Sequence, residues 1–216
     1  MKTTRSTRSP EMKLRQLEIL LERVSGFSSP ASHLEQYPTP APLAARLLFH
    51  AAQNGDITGK STCDLGCGTG ILAIGAALLG AEPVTGIDID EKALEIARQN
   101  ADKFHVGPVF IQAEISDSKV LPGQWDTIIM NPPFGAQVQH ADRAFIDCAL
   151  KAGNQVYMIA NSGSIPFVRS YVKGRASILE TVEGILPIRH CFHFHRKEVQ
   201  NIRVEIIHME RCTTSR

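Results

Sequence analysis

Apolar residues first recur at helical spacing over Glu11–Arg23, where Met12, Leu14, Leu17, Leu20, Leu21 and Val24 share one face. Ser25-Gly26 ends that pattern. A loop over Phe27–Tyr37 leads to Thr39-Pro40, which reads as an N-cap followed by proline at the first helical position. The helix so begun runs to about Gln53 and stops at Asn54-Gly55. Beyond Gly59 the texture changes to short apolar strands alternating with helices. Strands at Ser61–Leu65, Pro83–Ile87, Pro108–Ala113, Trp125–Met130 and Gln155–Ala160 alternate with helices at Gly70–Leu79, Glu91–Ala101, Asp142–Ala152 and Ile165–Lys173, a polar loop following the third strand. Crossovers of helical length imply parallel strands covered on both faces. Ala176–Leu186 and Val199–Met209 are both strand-like with no helix between them, which predicts an antiparallel hairpin at one edge of the sheet.

Composition narrows the class. The chain has 216 residues, 43% hydrophobic and 21% charged, enough to bury one large core. We found no repeat or linker, so the expected organisation is a disordered basic tail over residues 1–10 and one domain over 11–216. A net charge of +1 argues for no particular partner. Its distribution is uneven: Lys2, Arg5, Arg8, Lys13 and Arg15 face only Glu11 at the start, and four of eight histidines fall in the last thirty residues. Five cysteines without a CxxC pair imply free thiols. With no apolar run of membrane-spanning length and no apolar leader at the start, the expectation is a soluble, cytoplasmic protein.

The glycine-rich segment Asp64-Leu65-Gly66-Cys67-Gly68-Thr69-Gly70-Ile71 joins the first strand to its helix. Glycines allow a sharp turn and close approach of backbone to a ligand. The spacing Asp-x-Gly-x-Gly-x-Gly is tighter than the dinucleotide loop. Asp64, on the strand end, suits a ligand's ammonium group, held through water or the loop backbone. Asp88, at the end of the second strand, suits the two hydroxyls of a ribose, whereas Asp90 reads as a helix N-cap. At the third strand end, Glu114 offers a carboxylate and Ile115 a backbone N–H to an adenine. Three such features in order, each at a strand C-terminus, mark the ligand edge of an open sheet.

After the fourth strand comes Met130-Asn131-Pro132-Pro133-Phe134-Gly135. Asn131 precedes a proline and is therefore extended. Pro132 and Pro133 fix the backbone and lack N–H groups, leaving the Pro132 carbonyl to accept a hydrogen bond. An aromatic amine is a poor nucleophile because its lone pair is delocalised. Acceptors at the Asn131 side chain and the Pro132 carbonyl would each take one amino N–H and favour a pyramidal nitrogen. Phe134 would stack on the base and hold it in line with a sulfonium methyl.

These ordered motifs resemble class I methyltransferases of the Asn-Pro-Pro-Phe/Tyr type. With Glu35-Gln36-Tyr37-Pro38-Thr39, Gly26-Phe27, Gly86-Ile87-Asp88-Ile89-Asp90 and Phe194-His195-Arg196-Lys197, the chain is similar from about Met12 onward to small-subunit ribosomal RNA adenine-N6 methyltransferases, called methyltransferase-like protein five in animals, with archaeal relatives. The resemblance implies a Rossmann-like seven-stranded sheet of order 3-2-1-4-5-7-6, last strand antiparallel, with an N-terminal helical extension. It implies S-adenosylmethionine as cofactor and N6-methylation of an adenine in RNA. It carries over Gln36, Thr39, Gly66, Thr69, Ile71, Asp88, Glu114 and Ile115 as cofactor contacts, although the family more often has aspartate at the position of Glu114. It also implies a small zinc-containing activator of the Trm112 type, which hides an apolar edge.

Three other readings compete: a protein-glutamine N5-methyltransferase, a guanine N2-methyltransferase, and a non-catalytic subunit that keeps the fold. Cys191, His193 and His195 alternate, but they lack a fourth ligand and zinc spacing, so no metal is assigned. His195, Arg196 and Lys197 are taken instead as phosphate contacts to RNA.

Overall fold

The computed structural model describes residues 12–28, 30–31, 35–115, 124–134, 141–189 and 199–212. The expected phosphate contacts His195, Arg196 and Lys197, like Cys191 and His193, lie outside the described residues. Seven strands form one sheet: β1 (Thr62–Leu65), β2 (Val84–Asp88), β3 (Val109–Gln112), β4 (Trp125–Met130), β5 (Gly153–Asn161), β6 (Ala176–Arg189) and β7 (Val199–Arg211). Their order is β3-β2-β1-β4-β5-β7-β6. β1 to β5 pair in parallel, and β7 runs antiparallel to both β5 and β6. The order and the edge hairpin are those implied above.

Among the described residues, six α-helices accompany the sheet: α1 (Leu14–Leu21), α2 (Ala41–Gln53), α3 (Ile71–Leu78), α4 (Glu91–Phe104), α5 (Ala141–Ala152) and α6 (Ile165–Val172). α1, α2 and α3 bury Leu17, Leu21, Leu47, Leu48 and Ala73 against one face, with Ile129 and Ile159 beneath them. α5 and α6 bury Ile146, Ala149 and Val168 against the other, over Ile128 and Met158. Successive residues of β4 and β5 thus enter opposite cores. That is why these strands read as continuous apolar runs and not as alternation.

Two local expectations shift. α1 ends at Leu21, short of Ser25-Gly26. The N-cap of α2 is Pro40, with Pro42 in the first turn, and Thr39 caps nothing. Thr39 Oγ1 instead accepts from Asn131 Nδ2 at 2.8 Å. The Thr-Pro pair is a good local cap, and a partner 92 residues away outcompetes it.

α3 lies close on α2 because Gly75 has no side chain: a Cβ there would collide with Leu48 Cδ1 and press on both methyls of Leu21. We expect Gly75→Ala to lose about 1–3 kcal/mol from overpacking, offset by roughly 0.5–1 kcal/mol of gained helix propensity. Thermal denaturation should show a net fall in melting temperature; a rise would show that the interface relaxes freely.

Candidate functional site

The turn after β1 is built on three left-handed glycines, Gly66 (φ 70°), Gly68 (φ 51°) and Gly70 (φ 87°), a region costly for any residue with a Cβ. Aromatic rings crowd it: a Cβ on Gly66 would lie 2.8 Å from Phe145 Cε1, and one on Gly68 2.9 Å from Phe27 Cζ. Gly70 is the N-cap of α3 and has no side chain to cap with. Asp64 supplies the missing acceptor from β1, its Oδ2 taking the Ala73 N–H at 2.9 Å. The other oxygen, Oδ1, is buried without a hydrogen-bond partner. Burial raises the Asp64 carboxyl to about 8, against the lowering effect of the Ala73 N–H.

Asp88 closes β2 and braces the same turn. Its Oδ2 accepts from Gly68 N at 2.7 Å and its Oδ1 from Asp90 N at 2.9 Å. Burial raises its pKa from the ordinary aspartate value, partly countered by these two N–H groups. Each oxygen keeps a lone pair for a ligand hydroxyl. Asp90 caps α4 as expected, accepting from Lys92 N at 3.0 Å.

A strap over 35–39 lies across this edge and is tied down at several points. Gln36 Nε2 donates to Asp90 Oδ2 at 2.8 Å, and Gln36 Oε1 accepts from Ala31 N at 2.8 Å. Glu35 Oε2 accepts the Phe134 N–H at 2.8 Å. The Tyr37 hydroxyl reaches the Pro132 carbonyl at 3.5 Å, so that carbonyl already has a distant donor. The Tyr37 and Phe134 rings pack at 5.6 Å and 38°. Asn131 is held by Thr39 through its Nδ2, and its Oδ1 is buried with no partner. The strap therefore orients the amide and leaves its acceptor oxygen vacant.

Turn, strap and strand ends enclose a cavity of about 420 Å³. Of the residues singled out in the sequence, Gln36, Thr39, Gly66, Gly68, Thr69, Ile71, Asp88, Glu114, Ile115, Asn131 and Pro133 line it. Asp64, Gly70, Pro132 and Phe134 do not; Asp64 sits behind the turn and Phe134 packs beside Tyr37. Phe27, Tyr37 and Phe145 also line the cavity, and the sequence motifs assign them no individual role. Tyr37 stands within the Glu35–Thr39 signature, and Gly26-Phe27 within the resemblance. Phe145 carries no local signal, since one aromatic on an amphipathic helix reads as core. The charged lining residues among those described are Glu35, Asp88 and Glu114, all acidic. Such a wall suits a cationic ligand with a ribose and a base, and disfavours a pyrophosphate.

Comparison with known proteins agrees with this chemistry. Residues 45–132 match the family described as ribosomal protein L11 methyltransferase (PrmA). An uncharacterized protein of Methanocaldococcus jannaschii is 39% identical over 93% of this chain and 95% of its own length. The rRNA N(6)-adenosine-methyltransferase METTL5 of Danio rerio is 36% identical over 91% of this chain and 98% of its own. A solved structure from Pyrococcus horikoshii, described as a proposed RNA methyltransferase, superimposes with a TM-score of 0.84 at 34% identity, covering 94% of this chain and 99% of that one.

Proposed function

Since this chain belongs to the METTL5 family of rRNA N6-adenosine methyltransferases, we propose that its cavity holds S-adenosylmethionine and that it methylates the exocyclic amine of one adenine in small-subunit ribosomal RNA. The observation that carries this reading is Asn131: it lines a cavity whose charged residues, among those described, are all acidic, and its own Oδ1 is buried without a hydrogen-bond partner. A cofactor of this kind supplies a methyl group already activated by positive charge, so no strong base is needed.

The chain's own residues have distinct tasks. The N–H groups of the glycine turn, with Asp64 behind them, would hold the amino-acid end of the cofactor. Asp88 would take the ribose, and Glu114 and Ile115 the adenine. Asn131 Oδ1 would accept one N–H of the target amine. The Pro132 carbonyl would accept the other once the 3.5 Å contact with Tyr37 yields. Phe134 would serve as the stacking surface after leaving Tyr37. Holding a reactant in line is worth several kcal/mol, and here it is the main task left to the protein. His195, Arg196 and Lys197 remain our choice for phosphate contact.

We also assign a Trm112-like activator. Supporting it, β3 is an edge strand whose Val109 is 59% exposed. Cys63, Cys67, Cys148 and Cys212 are free thiols, which suits a reducing cytosol.

The deciding test is methyl transfer from labelled S-adenosylmethionine to small-subunit ribosomal RNA, with and without that activator, read by nucleoside mass spectrometry. We expect N6-methyladenosine at one position. RNase-resistant label in protein, or label in guanine, would overturn the substrate.

The strap makes a separate prediction. Gln36→Ala removes both of its ties and should weaken cofactor binding about tenfold, as one charge-assisted hydrogen bond would, with little change in melting temperature. Calorimetry showing unchanged affinity would mean that the strap does not close on the cofactor.

A further inference from the structure

On the helical face of the hairpin, below the cofactor edge, three potential ligands meet: His50 of α2, Glu180 of β6 and His208 of β7. One ligand atom from each lies within 4.8 Å of the others. None of the three lines the cavity described above. We propose that they form a binding site for one zinc(II) ion that clamps the last turn of α2 to the β6–β7 hairpin. This inference stands apart from the methyl-transfer reading and does not depend on it.

The geometry at His50 favours an ion over a simple pair. Its Nε2 lies 2.9 Å from Glu180 Oε2, yet it is buried without the alignment of a hydrogen bond. A buried imidazole nitrogen left without a partner is costly. Two ligand atoms each about 2.0–2.2 Å from a common tetrahedral zinc ion lie roughly 3.4 Å apart, with the ion off the line between them. The His50–Glu180 pair, at 2.9 Å, is close to that separation and has only to open slightly to admit the ion.

His208 is prepared for the same task. Its Nε2 lies 2.8 Å from Gln155 Oε1, and Gln155 Nε2 donates to Glu210 Oε1 at 3.1 Å. The amide is thereby oriented, so Nε2 carries the proton and donates to Gln155. That leaves the lone pair on Nδ1, whose contact with Asn54 Nδ2 is a long 3.5 Å. An imidazole whose far N–H is held by an oriented carbonyl is the usual state of a metal-ligating histidine. Tyr157 stacks on the ring at 4.2 Å and 13° and fixes its plane.

The strand register supplies an independent sign. Ile178 pairs with Met209 and Glu180 with His208, so Leu179 is an extra residue in a bulge. Ile178 and Met209 belong to the α5–α6 face. Without the bulge, Leu179 would stand opposite His208 and Glu180 would turn to the other face. The bulge brings a carboxylate beside the two imidazoles and leaves Leu179 48% exposed. The Glu180 side chain is itself 56% exposed, which gives an ion entry and room for water as a further ligand. Two neutral imidazoles and a carboxylate suit zinc and neighbouring first-row divalent ions.

The test uses the untagged full chain, stripped with chelator and then titrated with zinc chloride by calorimetry, with cobalt(II) as a spectroscopic probe. We expect one equivalent of zinc, a rise in melting temperature on adding it, and the visible absorption of low-coordinate cobalt. His50→Ala and Glu180→Gln should each weaken zinc roughly 100-fold, the upper end of what losing even an outer partner costs. A His193→Ala/His195→Ala variant should bind as the parent does. No zinc binding by the parent would overturn the proposal. So would affinity unchanged in both His50→Ala and Glu180→Gln, or lost only in the His193/His195 variant.

Discussion

Asn131→Ala should lower kcat about 10²–10³-fold, the usual consequence of removing one pre-positioned hydrogen-bonding group from a transition state, while leaving the affinity for S-adenosylmethionine close to that of the parent. The amide is held through its nitrogen by Thr39 at 2.8 Å, and its oxygen has no partner. What the substitution removes, on the proposed mechanism, is therefore the acceptor for the target amine. Two further variants separate acceptor from shape. Asn131→Asp keeps an oxygen at that position and lets the Thr39 hydroxyl donate in place of the amide, so it should keep more activity than alanine. Thr39→Val leaves the amide unanchored and should cost roughly tenfold, the worth of one hydrogen bond. Single-turnover transfer under saturating cofactor reads all three. Full activity in Asn131→Ala would remove the assigned mechanism; equal loss in the alanine and aspartate variants would remove the acceptor role.

Much of this site was legible along the chain because its parts are local. The glycine turn, Asp88 and Asn131 each end a strand, and parallel alternation brings strand ends to one edge. The hairpin was legible for the same reason, since two strand-like runs had no helix between them. What could not be read depends on contacts across the fold. Thr39 looks like a cap until Asn131 arrives from 92 residues away. That Asp64 also caps α3 could not be read, because it depends on the glycine N-cap of that helix lacking a side chain. Phe27 and Phe145, which fill the space that the glycines leave, carry no spacing signal at all. His50, Glu180 and His208 are separated widely in sequence and meet only because a bulge shifts the register by one residue. Spacing rules for metal ligands are blind to such a set, and the alternating Cys191, His193 and His195 drew attention instead.

The second large effect concerns Asp64 and runs in opposite directions for stability and for binding. An unfolded aspartate titrates near 3.9, and the folded carboxyl titrates at about 8 because it is buried. Between those values the folded state binds one proton more than the unfolded state. The contribution is fully present below the unfolded value and is lost as pH rises through about 8. At about 1.4 kcal/mol per unit, the loss over that window is of the order of 5 kcal/mol for the ligand-free protein. Asp64→Asn keeps an oxygen for the Ala73 N–H and cannot ionise, so that part of the pH slope should vanish. The variant should then be the more stable protein above the folded value, and no more stable than the parent at acid pH. Binding should show the reverse. An ionised carboxylate behind the glycine turn attracts a cationic ligand, so parent affinity for S-adenosylmethionine should strengthen as pH rises toward about 8. In Asp64→Asn it should be weaker by about 10–100-fold, the range for a hydrogen bond to a charged group, and flat with pH over the same window. Thermal melts and calorimetry on both proteins from pH 5 to pH 9 measure the pair of slopes. If the variant kept the parent's stability slope, Asp64 would not be the buried acid responsible. If it lost that slope but bound cofactor as the parent does, Asp64 would only cap α3, and the ammonium group would be held by the turn's backbone alone.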